Sequence, residues 1–251
     1  MDYKGNKIIK IKGGLGNQLF QYSLALYLKK EFNYEIKLDI SWFKTQNKRD
    51  FVLPEYLNSD FDIITNKNEN FFNKILSYRS EKLITHMLKN KITLPNLYNG
   101  YWQDIFFAKY LSVNNFKKNF FSNDLKEREY YVVHYRSDDF KKSKSHKILS
   151  MDYYRKNLNF LKNKKLFLLT NNIEDFDNDL ILKNNIKYLD CSEKDAFKFI
   201  YFASGGIASN STFCWWPIFL RKKNHWILPN EWLRKKNIFQ SNLSIKNNLI
   251  V

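Results

Sequence analysis

Cysteine, proline and acidic side chains are scarce in this chain, and each shortage narrows what the protein can be. Two cysteines, Cys191 and Cys214, occur among 251 residues, neither at a metal-ligand spacing nor beside a histidine cluster. That pattern excludes a disulfide framework and a zinc site and predicts reduced, buried thiols. There is no proline-rich linker, no low-complexity segment and no internal repeat. No apolar run approaches the roughly 18 residues of a membrane span, and the basic start "MDYKGNKIIKIKGG" lacks the apolar stretch of a secretory signal. A cytoplasmic protein is the expectation.

Acidic residues number 25 against 42 lysines and arginines, a net charge of +17. Such a surplus attracts anions in general: nucleic acid, lipid headgroups or phosphorylated small molecules. Charge alone does not choose among them, and lysines scattered as "KNKK", "KKSKSHK" and "RKKN" also read as a solvated face. Zinc-finger spacing, a basic leucine zipper and RRM-like aromatics are all missing. What is present is apolar and aromatic: 44% hydrophobic and 18% aromatic residues exclude a disordered chain.

Short apolar runs alternate with polar or glycine-rich turns and helical patterns, the signature of strand-loop-helix units around parallel sheets. Ile8 to Ile11 read as a strand, Gly13, Gly14 and Gly16 as a loop, and Gln18 to Phe32 as an amphipathic helix. "YEIKLDIS" reads as the next strand, and "FFNKILSYRSEKLITHMLK" as a helix in a stretch from about 43 to 100 that is otherwise hard to parse. A second set of strands follows: "YYVVHYRS", "KLFLLTNN", "IKYLD" and "GGIASNS", with helices at "SMDYYRKNLNFL" and "EKDAFKFIYFAS". The polar segment from Ser122 to Glu129 is the best boundary, giving two similar α/β halves, 1–124 and 125–251.

Ligands of open α/β sheets bind beyond the carboxyl ends of the strands. Four strand-end loops therefore matter. "GGLGNQ" offers close backbone approach and helix N–H groups suited to an anion, although a tight turn explains its glycines equally well and it matches neither the dinucleotide nor the Walker pattern. "VVHYRSDDF" puts His134 and Arg136 on one strand face, where the Arg fork can hold phosphate or pair with Asp138 or Asp139. "LFLLTNN" ends in amides that can read a nucleobase edge or ribose hydroxyls, while capping of a helix by Thr170 or Asn171 is the simpler explanation of the stretch taken by itself. "ASNSTFCWW" joins a helix N-terminus to hydroxyls that can bond phosphate, with Trp215 and Trp216 as packing beneath it.

Together and in this order, these pieces resemble the α-1,2-fucosyltransferases of glycosyltransferase family 11, bacterial members especially. The family's G-G-L-G-N-Q-[LM]-F-Q-Y-A is matched from Gly13 to Tyr22, with Ser23 for the alanine. G-Y-[FW]-Q is matched by Gly100 to Gln103, and H-x-R-R-G-D by His134, Arg136 and Asp139, followed by "DYY" at Asp152 to Tyr154. F-S-D-D falls on Leu169 to Asn172, N-S-T-F-S-W-W on Asn210 to Trp216, and "WILPNEW" is similar to a common family ending. Ser137 and Asp138 replace an Arg and a Gly of the pattern, Asn171 and Asn172 replace two Asp, and Cys214 replaces a Ser. These replacements bear on donor preference and activity.

The resemblance implies a GT-B-type α/β fold, two Rossmann-like halves facing a cleft, the first on the acceptor side and the second holding the GDP-sugar. It implies inverting, metal-independent transfer of L-fucose from GDP-β-L-fucose to O2 of a galactose, in capsule or lipopolysaccharide synthesis. No cofactor or metal is expected, and the sequence offers no convincing D-x-D at a strand end. Arg136 would grip the β-phosphate, Ser211 and Thr212 would assist beside Asn210, and Asn171 or Asn172 would contact guanosine. His134 and Asp139 are candidates for orienting Arg136 or serving as general base, while Gly14, Asn17 and Gln18 would touch donor or acceptor. Surplus lysine would hold the protein against the inner face of an anionic membrane, where a lipid-linked acceptor is presented. Two alternatives stand beside this reading: a related enzyme using another GDP-sugar, and a basic nucleic-acid or membrane-surface binder.

Overall fold

A computed structural model describes residues 5–46, 49–65, 81–92, 96–122, 129–141, 146–222, 225–230, 232, 243 and 249–250. The chain divides into two compact units, Met1–Phe120 and Phe121–Val251.

In the first unit, β1 (Asn6–Lys10) buries alternate residues and leads through a glycine turn into α1 (Leu15–Phe32). This helix is buried nearly all round, with Leu19, Phe20, Leu24 and Leu28 fully enclosed. Lys29 and Lys30 occupy its last turn, where cations complement the helix dipole, and Asn33 closes it in the left-handed conformation by donating its N–H to Lys29 O. β2 (Glu35–Asp39), α2 (Leu53–Tyr56), β3 (Asp62–Ile64), α3 (Glu81–Lys89), β4 (Leu97–Tyr98) and α4 (Ile105–Ala108) follow. The four strands form a parallel sheet in the order β3-β2-β1-β4. Of the helix expected at 71–89, residues 71–80 lie outside the described residues.

The second unit opens with β5 (Tyr131–Tyr135), whose last four residues are buried as befits a central parallel strand. It continues through α5 (Asp138–Lys141), α6 (Met151–Leu158), β6 (Leu166–Thr170), α7 (Asn178–Lys183), β7 (Lys187–Tyr188), α8 (Glu193–Phe202), β8 (Gly205–Ile207), α9 (Thr212–Arg221), β9 (Trp226–Leu228) and β10 (Leu249–Ile250). The sheet is parallel, in the order β10-β9-β8-β5-β6-β7. Val133, Tyr154, Leu168, Phe176 and Ile207 are among the residues of its core. Gly206 explains how β8 lies so close to β5: a Cβ there would stand 1.9 Å from Val132 O.

Strand expectations hold to within a few residues, and each expected helix with described residues is present. Cys191 corrects one expectation, because it is exposed in the loop before α8, whereas Cys214 is buried in α9, where burial pushes its thiol pKa far up.

Candidate functional site

In the second unit the chain lays down β5, β6 and β7 in one direction, then returns to place β8 on the other side of β5. The carboxyl ends of β5 and β8 therefore flank a topological switch point, the place where such sheets open a crevice. The loops after β5, β8 and neighbouring β6 carry every candidate donor-site residue of the C-terminal half.

Arg136 leaves the end of β5 half-buried, one residue beyond Tyr135. His134 is 5% exposed and shares a 2.7 Å hydrogen bond between Nδ1 and Ser209 Oγ, tying β5 to the loop after β8. Burial, reinforced by the nearby Arg136 charge, pushes its pKa down to about 3. The imidazole is therefore neutral at ordinary pH and a very weak proton acceptor, so its expected role as general base gives way to holding two strand ends together. Asp139 falls in α5 with Asp138, and the side chains of both lie outside the described residues.

After β8, Ser211 takes the N-cap position of α9 with extended backbone, yet its side chain makes no capping bond. Thr212 is the first helical residue, and no acidic residue occupies the first turn, so the helix dipole meets no local carboxylate there. Asn210 departs from its expected role as a substrate contact. It is 2% exposed, and its Nδ2 donates to Lys147 O at 2.6 Å and Trp232 O at 2.9 Å. Its Oδ1 is buried without a hydrogen-bond partner among the described residues. Trp215 and Trp216 are buried beneath the loop, with Trp215 Nε1 donating to Leu243 O at 2.8 Å, which makes them packing residues.

At the end of β6, Asn171 is exposed, whereas Asn172 accepts from Glu174 N at 3.2 Å and caps the 3-10 turn Ile173–Asp175. The capping expected of Thr170 or Asn171 is supplied by Asn172 instead, while Asn171 keeps an exposed amide. Ser137 is fully buried, with its Oγ donating to Asp175 Oδ2 at 2.6 Å. Asp175 carried no motif in the sequence and is brought here by the adjacency of β5 and β6.

The first unit repeats the topology. Its chain runs β1, β2, β3 and then returns to set β4 on the far side of β1. Gly13 is the glycine that the turn requires, at φ +80, while Gly14 sits at the N-cap of α1 with an ordinary φ of −75. Gln18 does not face a ligand: it is fully buried, its Nε2 donates to Gly13 O at 2.9 Å and Asp50 O at 2.8 Å, and its Oε1 accepts from Val52 N at 3.1 Å. Gln21, equally buried, accepts from Lys12 N at 2.9 Å and donates to Gly100 O at 3.1 Å. These two amides staple the glycine loop to its neighbours. Asn17 is half-buried and accepts from Gln103 Nε2 at 2.8 Å. Arg49 also comes to this loop, its Nε 3.9 Å from where a Gly14 Cβ would stand, and no local pattern announced it. Glu81 closes the rim by accepting from Tyr101 N at 3.0 Å and Trp102 N at 2.6 Å, the latter residue at φ 54. Burial raises the Glu81 pKa above the usual carboxylate value despite these bonds.

Two parallel α/β units are what the GT-B type of fold, implied by the resemblance, requires. Solved structures agree. NodZ α-1,6-fucosyltransferase co-crystallised with GDP gives a TM-score of 0.58 at 11% identity, over 88% of this chain and 93% of that one. NodZ fucosyltransferase from Bradyrhizobium gives 0.52 at 12% identity, over 88% and 94%. The E. coli heptosyltransferase WaaC with ADP gives 0.50 at 9% identity, over 98% and 92%. In sequence, the chain is similar to an α-1,2-colitosyltransferase of Escherichia coli, 23% identical over 272 residues that cover 92% of this chain and 93% of the relative. No family model matches the chain.

Proposed function

We propose that the protein transfers L-fucose from GDP-β-L-fucose to O2 of a galactose residue in a glycan, with inversion to an α linkage. The observation that carries this reading is the β5–β8 switch point, where Arg136 leaves β5 and the Ser211–Thr212 start of α9 follows β8. In the proposed reaction Arg136 holds the β-phosphate through its fork and stabilises the charge that develops as GDP departs from an oxocarbenium-like sugar. Ser211, Thr212 and the first amides of α9 supply further donors. The leaving diphosphate is neutralised by protein charge, without a divalent metal. Asn171 meets the guanosine part, since an amide offers both a donor and an acceptor to a base edge.

With His134 neutral and committed to Ser209, Asp139 remains the candidate to take the acceptor proton, late in a reaction led by departure of the nucleotide. The first unit is assigned to the acceptor, with Gly14 and Asn17 at its rim and Gln18 holding that rim in place. Support for an α-1,2 linkage comes from the name of the E. coli relative, and support for a GDP-sugar from the NodZ structure with GDP. The net charge of +17 favours a lipid-linked acceptor presented on an anionic membrane, as in capsule or lipopolysaccharide synthesis. No described helix is long and apolar enough to cross one.

A second reading keeps the fold and changes the sugar. The E. coli relative is a colitosyltransferase, and colitose is L-fucose without its 3-hydroxyl. Product analysis with GDP-fucose, GDP-colitose and GDP-mannose on galactose-terminated glycans separates the readings. A fucosylated product whose new linkage is α-1,2 supports the first; transfer from GDP-colitose alone supports the second; no transfer from any GDP-sugar contradicts both.

A further inference from the structure

Asp175 sits where a diphosphate-binding site should not want a negative charge, one strand away from Arg136. Two loops meet at its carboxylate. From the β5 side, Ser137 donates to Oδ2 at 2.6 Å and Lys141 Nζ pairs with Oδ1 at 2.5 Å. Lys141 is one helical turn beyond Ser137, and its N–H donates to Ser137 O at 2.9 Å, so the carboxylate spans the first turn of α5. From the β6 side, Asn172 caps the 3-10 turn Ile173–Asp175 that carries the carboxylate, its Oδ1 accepting from Glu174 N at 3.2 Å. On the other flank of Arg136, the Tyr135 ring packs edge-on against Tyr154 and Phe176 at 5.5 and 5.3 Å.

The consequences are electrostatic and geometric. Lys141 pairs with Asp175, so the carboxylate at this strand end has a cation of its own. Both chain neighbours of Arg136 are fixed, one by aromatic packing and one by the carboxylate. A bidentate grip on phosphate demands this fixity, because a displaced fork loses both bonds at once.

We propose that Asp175 is a positioning residue for Arg136, clasping the loop after β5 to the loop after β6 so that the guanidinium is held ready for the nucleotide diphosphate. The claim rests on the reading of the C-terminal unit as the donor site. It is tested by calorimetric titration of GDP into wild-type protein, Asp175→Ala, Asp175→Asn, Arg136→Lys and the two Asp175 variants in the Arg136→Lys background, with circular dichroism confirming folding. Asp175→Ala is expected to weaken GDP binding about 10-fold or more, and Asp175→Asn, which keeps an acceptor for Ser137, by less. In the Arg136→Lys background either change should cost under about 2-fold, because the fork it positions is already gone. A purely structural residue would cost the same in both backgrounds, and that equality would overturn the proposal. If Asp175→Ala does not fold, the Asp175→Asn cycle decides by the same criterion. Asp175→Ala protein that binds GDP as tightly as wild type removes the positioning role alone; wild-type protein that binds no GDP removes the donor-site reading and this role with it.

Discussion

At the switch point of the first unit the loops carry glycines and amides: Gly13, Gly14, Asn17, Gln18, Gln21 and Gln103. At that of the second they carry His134, Arg136 and the hydroxyls of Ser209, Ser211 and Thr212. Both units reverse strand order after three strands, so topology alone does not distinguish them. The difference lies in how each loop set is held. In the first, two fully buried glutamines spend their amides on backbone groups of adjacent loops, fixing an amide-rich rim that Arg49 and Glu81 also reach. In the second, a neutral histidine and a carboxylate fix the ends of β5, leaving a permanent cation at the strand end. An amide-rich rim suits sugar hydroxyls, and a cationic end beside a helix N-terminus suits diphosphate.

The largest expected effect separates the units by chemistry. Arg136→Ala should lower turnover with GDP-fucose by about 100-fold to 1000-fold, with thermal unfolding unchanged; near-normal turnover would end the assignment. Arg136→Lys keeps the charge and loses the fork, so an intermediate rate is expected in the same assay.

Gln18→Ala probes the amide-rich rim. It strips partners from buried backbone groups and should cost about 1 to 3 kcal/mol of stability in urea. Acceptor KM should rise while GDP affinity stays the same. A loss of GDP affinity without a loss of stability would show that Gln18 meets the nucleotide after all.

A smaller effect belongs to His134. Its folded pKa lies near 3 against an ordinary value of 6.5, so the unfolded chain binds the extra proton first. Its contribution to stability is complete above pH 6.5 and is lost as pH falls toward 3, at up to about 1.4 kcal/mol per pH unit. His134→Gln should flatten that part of the urea stability profile, and an unchanged slope would show that other groups carry it. Asp175 contributes in the same direction at lower pH, because the Lys141 and Ser137 bonds hold its pKa below the usual carboxylate value. That stability is present above the unfolded pKa and lost below the folded one.

Much of this fold was legible in the sequence, for identifiable reasons. β1, β5 and β6 are apolar runs long enough to show a pattern, and the glycine, Arg136 and Asn171 loops follow them directly. The strands β4 and β9 are two and three residues long, too short for any period to register. Gln18 was misread because α1 is buried nearly all round, so helical position does not tell an inward amide from a ligand-facing one. Asn210 was misread for a related reason: its partners, Lys147 and Trp232, are remote in sequence. Arg49 and Asp175 belong to no local motif and reach their places only when the loops are assembled.

Titration of GDP and GDP-fucose into the wild-type protein and Arg136→Ala, with UDP as control, tests the central claim most directly. Saturable binding of both guanine nucleotides, weak or absent binding of UDP, and loss of GDP affinity in Arg136→Ala are predicted. No binding of either guanine nucleotide, or GDP binding undiminished in Arg136→Ala, would contradict the account.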